Sequence, residues 1–154
     1  DTDISVGAYH VLELDTDGTK QAEHFINAVG EDLSGRLIPA VEVRLRGLYR
    51  LLPPDYYEAA DNLADFCDRI EKQYGVRPVI YCTERTYKNI VASDSRFNKD
   101  KIWYESLFSK PDEDMNWTFW TYTNRVKFSF YESGEYLHMT VFNGSEDDFK
   151  KLIL

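Results

Sequence analysis

The chain has 154 residues, 43% hydrophobic and 15% aromatic, which is enough to bury one core and too few for two ordinary domains. A formal net charge of -9 and a sequence pI near 4.8, with Lys and Arg scattered, exclude a nucleic-acid backbone as partner, because phosphate binding needs clustered cations. No apolar run approaches the roughly 18 residues of a membrane span, so membrane insertion is not expected, and "DTDISVGAYH" has neither the basic start nor the apolar middle of a signal peptide.

In chain order, "VGAYHVL" (6–12) reads as a strand. "DGTKQAEHFINAVG" then places Ala22, Phe25, Ile26 and Val29 on one face of a helix that Gly30 closes. The preceding "DTDGT" resembles the start of a calcium loop but lacks the later Glu, and a turn into the helix accounts for it. "LIPAVEVRLRG" (37–47) is a second strand with Glu42, Arg44 and Arg46 at every second position. "PPDYYEAADNLADFCDRIEKQYG" (53–75) carries the strongest helical pattern, with Pro at its start and Gly75 placed to cap its end. "RPVIYCT" (77–83) is a near-continuous apolar run of the kind parallel sheets bury on both faces. A short helix is expected from Glu84 to Ala92. The later part is β-rich: "KIWYES", "WTFWTYT", "VKFSFYE" and "LHMTVF" follow one another with short connections. Ser145 with Asp148 three residues on makes a capping-box start for a terminal helix.

Strand, helix, strand, helix, strand is the rhythm of a parallel sheet, and it predicts an α/β fold in which right-handed crossovers curl the sheet into a barrel. About seven strands stand against three or four helices, whereas a complete eight-stranded barrel takes about 200 residues or more. Either some strands lack helices or part of the barrel lies outside these residues. Cys67 and Cys82 show no CxxC spacing; two buried thiols are expected, with one disulfide as the alternative. No P-loop, G-x-G-x-x-G, G-x-S-x-G or H-E-x-x-H motif is present, and neither a cofactor nor a metal is expected.

A barrel strand shows one face to the helices and the other to the barrel axis. Alternation along 37–47 sends Val41, Val43 and Leu45 to the helices and Glu42 and Arg44 inward, close enough to pair, toward the C-terminal mouth where such barrels hold their sites. A solvated edge strand with a charged face is the alternative. His10, Tyr81, Trp103, Tyr104, Trp120, Tyr122 and His138 also fall toward strand ends, and Glu105 follows Tyr104. Each alone is accounted for by packing. Their recurrence points to a mouth lined with Trp and Tyr, which suits stacking on sugar rings; peptide binding and plain packing are the alternatives.

"VGAYHVL", "QAEHFINAVG", "IPAVEV", "RPVIYCT", "IWYES", "FWTYT" and above all "TVFNGSEDDFKKL" resemble, in order and spacing, the family 25 glycoside hydrolases, the muramidases (lysozymes) of bacteria and phages. The resemblance implies one domain over 1–154, built as a modified β/α barrel whose last strands lack helices. It also implies that the family's N-terminal strands, one of which bears an active-site Asp, lie outside this sequence. It implies peptidoglycan as the glycan partner and an extracellular or cell-envelope setting. The family's Asp-x-Glu falls on Glu42-Val43-Arg44, which keeps the first carboxylate as Glu and puts Arg at the general acid. The Asp of the last strand falls on His138, with Thr140 in a neighbouring Asn position, and the Gln of Trp-Gln-Tyr falls on Thr121. His10, Tyr81, Trp103, Trp120 and Tyr122 match the family's lining.

These departures matter because glycoside cleavage needs an acid at the leaving oxygen, and Arg, with a pKa above about 12, does not supply that proton at neutral pH. The expectation is therefore a catalytically impaired muramidase-like protein that binds a glycan or a protein partner in its mouth. The alternatives are an active hydrolase that recruits Glu105 or a tuned His138 as acid, and an interaction scaffold without sugar affinity. An incomplete barrel would also leave strand edges for a partner or for self-association to cover.

Overall fold

The computed structural model describes residues 4–128 and 136–154. Local sequence signals set its helices. α1 (Gly18–Val29) starts where the Asp17 carboxylate accepts from the Lys20 N–H at 2.9 Å, and it ends at Gly30, whose φ of 97° favours glycine. α2 (Tyr56–Tyr74) is capped by Asp55, which accepts from the Tyr57 and Glu58 N–H groups, and it stops at Gly75 in the left-handed region. A third helical segment begins as one α turn, α3 (Glu84–Thr86), and runs on as a π turn (Tyr87–Val91). The terminal α4 (Glu146–Lys150) has the Ser145–Asp148 capping box expected of it.

Six strands form a single sheet in sequential order: β1 (Tyr9–Val11), β2 (Ala40–Val43), β3 (Val79–Thr83), β4 (Ile102–Glu105), β5 (Trp117–Val126) and β6 (Leu137–Phe142). β1 to β5 run parallel, and β6 returns antiparallel to β5. α1, α2 and the third helical segment follow β1, β2 and β3, while no α-helix separates β4 from β5. This is the barrel-type arrangement expected of the sequence, with helices lost from its later strands. "VKFSFYE" does not form its own strand at its start, since Val126 ends β5; residues 129–132 of that stretch lie outside the described residues.

The two sheet faces bury different things. On the outer face Val41 and Val43, both 0% exposed, join Leu12, Ile80, Cys82 and Tyr104 against the apolar stripe of α2, which includes Leu63, Phe66, Cys67 and Ile70. Cys67 and Cys82 are free thiols inside this core, and burial pushes both above the ordinary thiol range. The inner face has an apolar floor of Ile38, Ala40, Val79 and Leu152. The chain end seals it: the Ile38 N–H donates to the Leu152 carbonyl at 2.8 Å, and the Leu154 N–H to the Arg36 carbonyl at 2.9 Å.

Polar braces fix the frame. Gln21, buried in α1, donates to the Glu13 and Thr16 carbonyls at 2.9 and 2.8 Å and accepts from the Glu13 N–H at 2.8 Å, which locks the chain leaving β1. Arg77, just before β3, pairs with buried Asp100 at 2.7 Å and with Asp68 of α2 at 2.5 Å. Among the described residues no helix is long and apolar enough to cross a membrane. Where α1 meets α2 there is no room for a side chain: a Cβ on Gly18 would lie 1.8 Å from the Asn62 carbonyl oxygen. Gly18→Ala is therefore expected to destabilise the protein by about 1–3 kcal/mol or more through overpacking, measured as a lowered urea midpoint followed by far-UV circular dichroism.

Candidate functional site

Register decides which side chains share the inner face. Glu42 lies opposite Tyr81, Tyr81 opposite Trp103, Trp103 opposite Phe119, and Phe119 opposite Phe142. Four ring contacts run through this row and beyond it: Tyr81 to Trp103 at 4.7 Å, Trp103 to Phe119 and Phe119 to Phe142 at 5.3 Å each, and Phe142 to Phe149 at 5.5 Å between centroids. One level nearer the C-terminal mouth, Glu105 lies opposite Thr121, and Thr121 opposite Thr140. Thr121 is 1% exposed; its hydroxyl accepts from the Trp103 indole N–H at 2.9 Å and meets the Thr140 hydroxyl at 2.7 Å, which fixes the indole plane.

Arg44, just past β2, crosses this mouth. Its Nε donates to Glu42 Oε1 at 2.6 Å, and its two terminal nitrogens donate to Glu105 Oε1 at 3.2 Å and Oε2 at 2.5 Å. It also donates to the Tyr81 hydroxyl at 3.1 Å, with its guanidinium carbon 5.6 Å from the Tyr81 ring centroid. The Tyr81 hydroxyl in turn donates to Glu105 Oε2. The second oxygen of Glu42 accepts from Arg46 at 3.0 Å. Every carboxylate oxygen of the two buried glutamates, 6% and 8% exposed, thus accepts from a guanidinium. Thr86 supports the strand end that launches Arg44 by donating to the Val43 carbonyl at 2.8 Å.

The electrostatics follow. Burial alone would raise the Glu105 pKa, but the hydrogen bonds and charge of Arg44, the hydrogen bond of Tyr81 and the charge of His138 hold it below the usual carboxylate range. Desolvation and the ionised Glu105 push the Tyr81 phenol well above its ordinary value. Desolvation works against the Arg44 charge, and the partnership with Glu105 more than restores it. The mouth therefore holds the Arg44 cation between Glu42 and an ionised Glu105.

Around this network the sheet encloses a cavity of about 790 Å³, lined from both edge strands by Tyr9 and His138 and in between by Glu42, Arg44, Tyr81 and Trp103. Arg46 and Arg50, which sequence reasoning had not placed, also line it. The "every second position" charge pattern already contained Arg46, while Arg50 lies in a 3-10 turn (Gly47–Arg50) that carries no such period.

Glu42, Arg44, Tyr81, Trp103, Glu105 and His138 are brought together as the sequence suggests. Three expected lining residues are not. His10 lies opposite Val41 and so faces the helices, where its ring stacks on Phe66 at 5.0 Å and its Nε2 meets Gln21 at 3.1 Å. Trp120 lies opposite core residue Tyr104 on the outer face, and its indole N–H donates to the Ser106 carbonyl at 3.0 Å; Tyr122 packs beside it at 5.7 Å. The inner positions of β5 belong to Phe119 and Thr121. Parity with Leu12 for His10, and with Glu105 through Thr121 for β5, is the signal that separates the faces.

A mostly parallel sheet with a charged mouth at its strand C-termini defines a barrel-type α/β protein whose candidate site sits where such barrels hold theirs. The model of the glycosyl hydrolases family 25 matches residues 1–129, and the chain belongs to this family. A family 25 glycosyl hydrolase from Bacillus anthracis is 30% identical, with a TM-score of 0.85 over 99% of this chain and 70% of its own. The lysozyme of Streptomyces coelicolor is 23% identical, with a TM-score of 0.76 over 95% of this chain and 70% of its own. The muramidase of Acremonium alcalophilum is 22% identical, with a TM-score of 0.72 over 95% of this chain and 71% of its own. No curated protein sequence matches.

Replacing Arg44 tests the network. Arg44→Met leaves Glu105 buried without its cation, and a loss of about 3–5 kcal/mol is expected near neutral pH. In the wild type the depressed Glu105 pKa contributes stability that is present above about pH 4.3, the unfolded value, and is lost as pH falls through the folded one. In the variant Glu105 takes up its proton more readily, so the gap to wild type should narrow on acidification. Urea unfolding of both proteins at neutral pH and near pH 4 measures this.

Proposed function

We propose that this family 25 protein is a glycan-binding, catalytically impaired relative of the muramidases, which takes a peptidoglycan-type saccharide into its mouth at the cell envelope or outside the cell. The observation that carries the reading is Arg44, held by both glutamates at the position where the resemblance puts the general acid. A general acid must hold a proton near neutral pH, which calls for a raised carboxyl pKa; Glu105 is shifted the other way. Both oxygens of Glu42 accept from arginine N–H groups. Loss of the acid costs hydrolysis about 10²- to 10⁴-fold. What the mouth retains is a binding surface, with the Trp103 indole fixed by Thr121 and flanked by Tyr81 at the cavity wall.

The competing reading is hydrolysis with His138 as acid, favoured by its place on the cavity wall within electrostatic reach of Glu105. The purified protein is expected not to clear peptidoglycan, and Arg44→Glu alone is expected not to restore clearing, since it adds a third carboxylate beside Glu105, which has lost its cation, and Glu42, which keeps only Arg46. Muropeptide turnover at a lysozyme-like rate, abolished by Glu42→Gln, would establish the hydrolase instead. Chitooligosaccharides and muropeptide fragments are expected to change tryptophan fluorescence, with the change lost in Trp103→Ala and kept in Trp120→Ala. No response to any of them at millimolar concentration sinks the glycan reading.

A further inference from the structure

Beside the mouth, the connection from β2 to α2 carries an exposed apolar tip whose leucines are no part of the cavity wall. Gly47, at a φ of 54° that favours glycine, leads the chain into the 3-10 turn Gly47–Arg50. Tyr49 anchors this turn: it packs on the helix-side core, and its hydroxyl donates to Asp15 at 2.6 Å. Leu48, Leu51 and Leu52 point away from the core and are 75%, 82% and 70% exposed. Three large aliphatic side chains this close together differ from the scattered apolar residues of an ordinary surface. The backbone that carries them is largely satisfied from within. The Tyr49 N–H donates to the Arg46 carbonyl at 3.1 Å, the Leu51 and Leu52 N–H groups donate to the Leu48 carbonyl at 2.9 Å each, and Pro53 and Pro54 have no N–H. The charges around the tip are of one sign. Between Glu42 and Asp55 the sequence has Arg44, Arg46 and Arg50 and no acidic residue, although the whole chain carries -9. Arg85 joins them through space by donating to the Arg50 carbonyl at 3.4 Å. Arg50 and Arg85 are both exposed, and among the described residues neither guanidinium has a carboxylate within 4 Å.

We infer that this tip docks the protein on an anionic phospholipid surface, with Leu48, Leu51 and Leu52 at the boundary of headgroups and acyl chains and Arg50 and Arg85 against the lipid phosphates. Leucines flanked by arginines without protein partners have the composition of a segment that lies in a bilayer interface. The aliphatic groups leave water there, while each guanidinium offers phosphate a planar pair of donors. Internal bonding of the turn's backbone lowers the cost of moving it into a region poor in water. The contact lies on the membrane and does not span it, in keeping with the absence, among the described residues, of any helix long and apolar enough to cross. A protein partner fits this tip less well, because stable protein contacts take about 20–30 residues a side, whereas a bilayer closes around any projecting outline. Arg50 also lines the cavity, so docking turns the mouth toward the lipid surface. Docking is independent of the glycan-binding reading and adds the surface on which the mouth is held.

Co-sedimentation with unilamellar vesicles tests this, with phosphatidylcholine alone set against phosphatidylcholine containing about one-third phosphatidylglycerol. At low salt the anionic vesicles are expected to bind about tenfold tighter, since each arginine near such a surface contributes several-fold, and the preference is expected to shrink as salt is added. Arg50→Gln combined with Arg85→Gln should remove the preference. Leu51→Ser combined with Leu52→Ser should weaken binding to anionic vesicles about tenfold through lost apolar burial, with thermal unfolding unchanged because both side chains lie outside the core. Equal binding to the two vesicles, binding to neither, or binding untouched by the leucine pair overturns the docking. A dimer seen by sedimentation velocity that the leucine pair dissolves assigns the tip to a second copy of the chain and overturns it too. The tryptophan response to chitooligosaccharides, followed in the same leucine variant, reports on the glycan reading alone, so the two readings fail separately.

Discussion

Two carboxylates are buried at the strand C-termini of this protein, and the site is arranged around Arg44, the cation that bonds both of them. Taking a carboxylate out of water costs several kcal/mol, and a buried pair recovers this only when geometry and hydrogen bonding are both good. Arg44 meets that condition by reaching from the end of β2 to Glu42 on its own strand, Tyr81 on β3 and Glu105 on β4. It therefore ties three neighbouring strands where the sheet opens to solvent, and Arg46 completes Glu42 from the rim. One side chain thus bridges both glutamates and three strands.

The rest of the inner face is layered to suit. Below the network lies the aromatic row from Tyr81 to Phe149, and below that the aliphatic floor sealed by the chain end. The outer face carries the helices on a core independent of the mouth. That separation lets charge at the mouth change without disturbing the fold: position 44 can hold a cation in place of the acid the family resemblance puts there, while Val41 and Val43 pack against the helices as before. The function proposed for the chain rests on the charge at this one inner position.

Much of the fold was legible in the sequence because it is written in short-range rules. Asp17, Gly30, Asp55, Gly75 and Ser145 mark helix ends through capping bonds and left-handed or near-left-handed backbone, all local effects. The alternation in 37–47 sent Val41 and Val43 to the helices and Glu42 and Arg44 inward, because side chains alternate across a strand whatever the partners. Family resemblance added the order of the strands and the identity of the family.

What only the tertiary structure decided is which face each strand presents and what each charge meets. His10, Trp120 and Tyr122 fit a mouth by composition, yet register with Val41 and Tyr104 puts His10 and Trp120 on the helix side, and Tyr122 packs beside Trp120. Pairing across strands, with the register shift between Ile102 and Trp103, is a long-range property that strand composition does not encode. The same holds for the 61-residue span between Arg44 and Glu105, whose meeting turns two unremarkable residues into the bridge that holds Glu105 ionised. By itself, then, the sequence determined the elements, their order and the inward row at 42 and 44; the parity of the other strands, and with it the partners of Arg44, came from packing the sheet.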